Sequence, residues 1–470
     1  MPFNRMNVKP KRKCRGKRLK WAPKDNRRKI GSVRKIKKDP ILRLAIPNII
    51  SNITVPLLGM IDLAIVGHMG NKSYIGAVAI GTTIFNFIYW NFGFLRMGTS
   101  GFAAQAYGKR DFTEAMQVLG RSVMVGLFIA ILLIILQYPI GKLAFYFIQP
   151  TTTTASWAWQ YFSIMIWAAP ATLGLYSLKG WFIGMQNAKA PMFIAITINL
   201  LNILFSLIFV LGLKMKVEGV ALGTVLAQYS GLLMALWILR KGYGKLFPKL
   251  KIKELFVLQD ILRFFSVNGN IFLRTLCMIA VFTFFTSAST RMGDTLLAVN
   301  TLMMQLFMLF SYIMDGFAYA AESLIGKYFG GKNLSLLKQT IRSLMKWGVV
   351  LSLLFTLLYA IFGNQLLAIL TNETEVINAA KEYVHWVILV PLLGFPAFLW
   401  DGIFIGAAAA KAMRNAIFVA TLVFFALYYL LAPHYGVNAL WISFLAFLAL
   451  RGALQYAQAK GAIYDKCIKA

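Results

Sequence analysis

An all-α polytopic membrane protein is the fold class that the sequence predicts, with twelve transmembrane helices in two pseudo-symmetric six-helix bundles around a central cleft. Three observations predict it. Hydrophobic residues make up 59% of the 470 and charged residues 14%, with a mean hydropathy of +0.66. A soluble domain is nearer ~45–50% apolar and ~25% charged. Twelve apolar stretches reach the ~20 residues that cross about 30 Å of hydrocarbon as a helix. Finally, blocks of the first half of the chain recur, in order, in the second.

The stretches fall at 42–68, 75–106, 118–141, 155–178, 188–213, 219–240, 264–290, 295–327, 342–364, 380–404, 412–433 and 437–459. Their orientation follows from the loops, because cytoplasmic loops are enriched in Lys and Arg. Alternate loops carry Lys109, Arg110 and Arg121, then Lys189, then Arg240, Lys241, Lys245, Lys249, Lys251 and Lys253, then Lys332 and Lys338, then Lys411 and Arg414. The opposite loops are poorer, carrying Lys142, the pair Lys214 and Lys216, Arg291 and the acidic NETE at 372–375. Both termini are therefore expected in the cytoplasm, with the chain multi-pass in the cytoplasmic (inner) membrane. The expected organisation is a disordered basic tail at 1–40, one bundle at 41–240, a cytoplasmic linker at 241–262, a second bundle at 263–459 and a short cytoplasmic tail at 460–470. No short apolar segment with a small-residue cleavage site follows the N-terminus, so the first span is expected to act as the insertion signal.

The repeat is concrete. YGKRDFTEAMQVLGRS at 107–122 matches FGGKNLSLLKQTIRS at 329–343, and LKGWFIGMQNAKA at 178–190 matches LWDGIFIGAAAAKA at 399–412. Each lies about 222 residues after its counterpart. Six-helix units inserted in the same orientation are parallel repeats related by an axis along the membrane normal. Two bundles with a cleft between them result.

IPNIISNITVPLLGMIDLAIVGHMG, followed by GAVAIG, resembles the first helices of the multidrug and toxic compound extrusion (MATE) family. GWFIGMQNAKAPM and VEGVALGTVLAQY are similar to it as well, and NIFLRTLCMIAVF with MDGFAYAAESLIGKYFGG resembles its DNA-damage-inducible-F type branch. The likeness covers roughly residues 40–460. It implies a secondary active transporter, not an enzyme: an antiporter exporting diverse amphipathic, often cationic, drugs, of the kind associated with antibiotic resistance. A lipid or lipid-linked oligosaccharide flippase of the related superfamily is the alternative, kept open by Arg96 and Lys179 in the first bundle.

Asp62 is the residue an apolar first helix must explain. A carboxylate inside the membrane is expensive and marks function by default. Pro56 removes the N–H that would bond the carbonyl of Asn52 and predicts a bend beside the acid. Desolvation moves a carboxyl group toward its neutral form, which suits a proton carrier. The family's helix-1 Asp falls on Asp62, and the resemblance implies that it is the coupling site; a structural acid bonded to a neighbouring helix is the other reading. On the fifth segment Asn199, Asn202 and Ser206 share one face, and on the sixth so do Thr224 and Gln228. Both stripes are expected to line a polar substrate cavity, although hydrogen bonding between helices would produce the same pattern. Asn202 and Thr224 match family cavity positions. Ser206 stands where archaeal members carry a second Asp.

The second bundle holds Arg274, Asp315, Glu322 and Asp401 in apolar surroundings, an expected internal charge network. Asp401 matches an Asp of the sodium-coupled branch, but that branch's helix-7 Glu aligns with Arg274. Protons are therefore expected as coupling ion over sodium, and Arg274 is expected to pair with Asp401.

No phosphate-binding G-x-x-x-x-G-K-[ST] loop is present, so ATP is not expected to drive this chain. Cys14, Cys277 and Cys467 lie far apart, and His68, His385 and His434 show no metal-binding spacing. Neither a cofactor nor a metal is expected. The plentiful methionines and aromatic residues suit a permissive cavity for flat amphipathic molecules, or simple packing. Residues 1–40 carry 17 Lys or Arg against Asp25 and Asp39. Next to a membrane span, this tail is expected to meet anionic lipid and not nucleic acid. The partners expected are small amphipathic substrates and the bilayer, with the chain a monomer.

Overall fold

The computed structural model describes residues 39–470 apart from positions 68, 70, 71, 372 and 470. The basic tail up to residue 38, with Cys14, and His68 lie outside the described residues. Among the described residues, twelve helical stretches are long and apolar enough to cross a membrane. Helix is the form expected there, since backbone N–H and C=O groups in hydrocarbon must satisfy one another.

The first span is α1 (Pro40–Gly67), which carries Pro47 and Pro56 in its interior. The second is interrupted at Phe92 and Gly93 into α2 (Lys72–Asn91) and α3 (Phe94–Lys109). The third, α4 (Phe112–Ile135), breaks at Leu136, and a short α5 (Gln137–Ile148) follows where hydropathy alone runs the segment on to 141. The fourth joins α6 (Thr152–Met165) to α7 (Ala169–Gly184) through a 3-10 turn at Ile166–Ala168, just before Pro170. The fifth is α8 (Lys189–Leu207), closed by a π turn at Ile208–Gly212, and the sixth is α9 (Val217–Tyr243). A connection containing the single-turn α10 (Ile252–Leu255) leads to the second bundle. There Arg121 of α4 donates to the Glu254 carbonyl at 2.9 Å and pairs with Asp260 at 2.5 Å, holding the connection against the first bundle.

The second bundle consists of α11 (Leu258–Arg291), α12 (Asp294–Gly330), α13 (Leu334–Leu370), α14 (Thr374–Gly406), α15 (Ala410–Tyr435) and α16 (Val437–Ala459). Beyond residue 459 the backbone stays helical through a π turn at Lys460–Tyr464 and α17 (Asp465–Lys469), where a tail was expected. Ile463 and Cys467 are buried against the second core, and that burial keeps the segment helical.

The repeat holds in three dimensions. The spans Thr152–Gly184 and Thr374–Gly406 are both 33 residues long and stand at the offset read from the sequence. Asp111 caps α4 by accepting from Thr113 and Glu114 N–H, each at 3.0 Å, and its counterpart Asn333 caps α13 through Leu336 N–H. Left-handed residues recur at the same offset: Arg110 with Lys332, and Gln186 with Ala408. Each bundle has its own apolar core, one built around Trp181, Phe162 and Phe182 and the other around Trp441, Phe285 and Phe444.

The bundles meet where α3 crosses α12. A Cβ on Gly108 would lie 2.0 Å from the Lys327 carbonyl oxygen, and one on Gly330 would lie 2.1 Å from that of Gln105. Only glycine allows so close a crossing, and it occurs at the end bearing the basic turns. Helix α1 belongs to both cores. Ile41, Leu44 and Ala45 pack into the second and Val66 into the first, while Asn52 donates to the Tyr312 carbonyl at 3.1 Å.

Candidate functional site

Asp62 sits on α1, six residues beyond Pro56, in the part that leans on the first bundle. Its side chain is half-buried, but Oδ1 is sealed from solvent and has no hydrogen-bond partner among the described residues. None of the described Lys or Arg residues forms an ion pair with it. Tyr161 of α6 lies within electrostatic reach, its ring seated in the gap left by Gly81 on α2.

The depth of Asp62 relative to the polar stripes follows from one contact. Asn199 of α8 donates to the Thr54 carbonyl of α1 at 3.0 Å, and the two helices run the same way along the repeat. Each rises ~1.5 Å per residue, so Asp62, above Thr54, stands near the level of Ser206, above Asn199. Asn202 is fully buried and donates to Thr224 Oγ1 of α9 at 2.7 Å; Thr224 donates in turn to the Val220 carbonyl at 2.9 Å. Asn202 Oδ1 and Ser206 Oγ have no partner among the described residues. Gln228 is half-buried one turn beyond Thr224. The structure thus joins Asn199 to α1 and Asn202 to Thr224. Three buried oxygens, on Asp62, Asn202 and Ser206, lack a partner among the described residues; the side chains of Asn202 and Ser206 lie against α9, Asn202 on Thr224 and Ser206 on Gly223.

The charges of the second bundle divide differently from the single network expected. Arg274 of α11 does pair with Asp401 of α14, both almost fully buried. Asp401 also accepts from Arg451 Nη2 at 2.7 Å and from Gln455 Nε2 at 2.6 Å, both on α16. Glu322 is not part of that group. It points across the bundle interface to Arg96 of α3, at 3.1 and 3.4 Å, and accepts a short hydrogen bond from the Ser100 hydroxyl. The reason is register: the close crossing of α3 and α12 brings Glu322 to α3. Asp315, two turns earlier on α12, makes no ion pair among the described residues and lies within electrostatic reach of Arg96, Arg274 and Arg451.

Arg451 and Gln455 were not singled out from the sequence, although an isolated arginine in the apolar run FLALRGALQY is a signal in itself, because it needs a counter-charge. Nor were the other bonds that tie the bundles together. Gln105 donates to the Gly406 carbonyl at 2.9 Å, Gln186 to the Ser323 hydroxyl at 2.6 Å, and Ser323 to the Ile183 carbonyl at 2.7 Å.

This architecture can be compared with known proteins. The family model MatE matches the chain twice, at residues 47–208 and 271–430, one match in each bundle. The chain belongs to the MATE family. It is a secondary transporter of this multidrug efflux family, not an enzyme. Among MATE relatives, DNA damage-inducible protein F of Escherichia coli (strain K12) is 36% identical over 409 residues, covering 87% of this chain and 89% of the relative. A solved MATE in the bent conformation superimposes with a TM-score of 0.79 at 21% identity, covering 91% of this chain and 95% of that one. The Vibrio cholerae MATE transporter VcmN, also in a bent form, gives a TM-score of 0.79 at 18% identity, with 91% and 97% covered. At these identities the two structures establish the shared MATE fold.

Proposed function

We propose that this MATE transporter is a proton-coupled antiporter that exports diverse amphipathic, often cationic, compounds across the cytoplasmic membrane, as a monomer with both termini in the cytoplasm. The observation that carries the reading is Asp62. A carboxylate oxygen closed off from solvent, with neither donor nor cation to neutralise it, is a place where binding a proton relieves the cost of burial. At about the same depth, Asn202 and Ser206 on α8 also present unpartnered oxygens.

Sodium is the poorer fit. The acid that could serve it, Asp401, has both oxygens engaged by Arg274, Arg451 and Gln455. A guanidinium already stands where a cation would bind, and a second positive charge there would be repelled. Proteoliposomes loaded with a fluorescent cation test the reading under separate proton and sodium gradients. The expected result is efflux under the proton gradient alone, lost in Asp62→Asn. Efflux driven by sodium alone would refute it.

A further inference from the structure

Lys179 occupies in the first bundle the place that Asp401 occupies in the second. Each precedes a glycine at a close helix crossing within its own bundle: a Cβ on Gly180 of α7 would lie 2.3 Å from the Arg96 carbonyl oxygen of α3, and one on Gly402 of α14 would lie 2.3 Å from that of Ala318 of α12. The helix crossing therefore holds both residues at one depth, on either side of the pseudo-symmetry axis. Their electrostatic situations are opposite. Asp401 is satisfied by two guanidinium groups and an amide. Lys179 takes part in no ion pair and no hydrogen bond among the described residues.

The neighbouring charges do not supply its counter-ion. Arg96 lies within electrostatic reach of Lys179 and adds a second positive charge. Glu322 is already engaged by Arg96 and Ser100, and Asp315 reaches Arg96, Arg274 and Arg451 but not Lys179. Four cations, Arg96, Lys179, Arg274 and Arg451, thus face three carboxylates, an excess of one positive charge, and Lys179 is the one of the four outside the ion pairs. A cation withdrawn from water without a partner is costly, so the place is complementary to an anion. Lys179 remains partly accessible, which lets a ligand reach it. Tyr176 stands on the same helix face three residues earlier. Tyr319 lies across the interface, with the Arg96 guanidinium 4.0 Å above its ring.

We propose that Lys179, with Tyr176 and Tyr319 beside it, is the residue of this chain that receives the carboxylate of a transported molecule. This rests on the export function proposed above. A carboxylate fits better than a phosphate because a single unmatched positive charge awaits it. The tyrosine rings offer flat faces to an aromatic body attached to the acid.

The test uses rhodamine B, which bears one free carboxylate, and its ethyl ester, in which an ethyl group caps that carboxylate and removes its charge. Binding to the purified full-length chain is read by fluorescence anisotropy, and efflux from proteoliposomes is read separately. The wild type is expected to bind the acid about ten-fold more tightly than the ester, the scale of one charge-assisted hydrogen bond. Lys179→Gln should bring that ratio close to one, and Lys179→Arg should restore most of it. Equal binding of acid and ester by the wild type would overturn the proposal, whatever the variants do. So would a preference that survives in Lys179→Gln. Failure of a proton gradient to move either dye, with the binding preference intact, would instead count against the export reading and leave the carboxylate subsite standing.

Discussion

Ser100 and Glu322 stand at matching positions of the two halves, 222 residues apart, and are hydrogen-bonded to each other across the bundle interface. Arg96 completes the arrangement with a two-pronged ion pair to the same carboxylate, at 3.1 and 3.4 Å. The bond is thus a contact between the repeats on their symmetry axis, and any motion that parts α3 from α12 must break it.

Removing one partner of a buried pair leaves the other uncompensated. Glu322→Gln is therefore expected to destabilise the transporter by ~3–5 kcal/mol, read as a fall in melting temperature in detergent. The double variant Arg96→Met with Glu322→Leu should recover most of the loss. A double variant no better than the single one would show that the pair contributes more than mutual neutralisation.

Asp62→Asn keeps the size of the side chain and mimics its protonated form. Expression and melting should stay near wild type while proton-driven efflux disappears. Transport by this variant at the wild-type rate would assign Asp62 a structural role only.

Asp401 is expected to be more sensitive than either arginine. Arg274→Ala leaves its carboxylate held by Arg451 and Gln455, whereas Asp401→Asn leaves two guanidinium groups facing each other. Thermal melts should show the larger loss, by ~2 kcal/mol or more, for the Asp variant. The opposite order would place the stabilisation in Arg274 itself.

The glycine crossing of α3 and α12 supplies a gauge of rocking. With Cys14, Cys277 and Cys467 replaced, cysteines introduced at Lys109 and Gly331 should form a crosslink whose yield changes with pH and with substrate, because alternating access requires these ends to part. A yield indifferent to both would argue against relative motion of the bundles.

The described fold begins at Asp39, whose carboxylate accepts from Trp347 Nε1 at 3.0 Å and from Ile41 N–H at 2.9 Å. Deleting residues 1–36 leaves these bonds and the loop charges in place. Efflux by correctly inserted protein should be largely retained, as measured against wild type at matched expression.

Much of the architecture was legible in the sequence because its signals are local. A run of about 20 apolar residues can cross hydrocarbon only as a self-satisfied helix. The repeated blocks at 107–122 and 329–343, and at 178–190 and 399–412, needed nothing beyond the chain itself. The pairing of Arg274 with Asp401 was reached through the family resemblance, which sets Arg274 at the helix-7 position facing the helix-10 acid.

What only the tertiary structure decided is which partner each charge finds. Asp315, Glu322 and Asp401 look alike along the sequence, each an acid in an apolar helix. Glycine-to-carbonyl contacts between α3, α7, α12 and α14 set the helix rotations that send Glu322 to Arg96, leave Asp315 outside the ion pairs and give Asp401 a second arginine, Arg451, from the last span. Those rotations depend on fits of a few tenths of an ångström between helices far apart in sequence, and hydropathy carries no record of them. The helical run beyond residue 459 belongs to the same class: Lys460, Gly461, Asp465 and Lys466 are exposed, and the segment stays helical because the second core receives Ile463 and Cys467. The sequence by itself determined how many helices there are, how they repeat and which residues carry charge into the membrane. Packing decided that, among the described residues, Lys179 and Asp315 stay outside the ion pairs and Asp62 Oδ1 finds no donor.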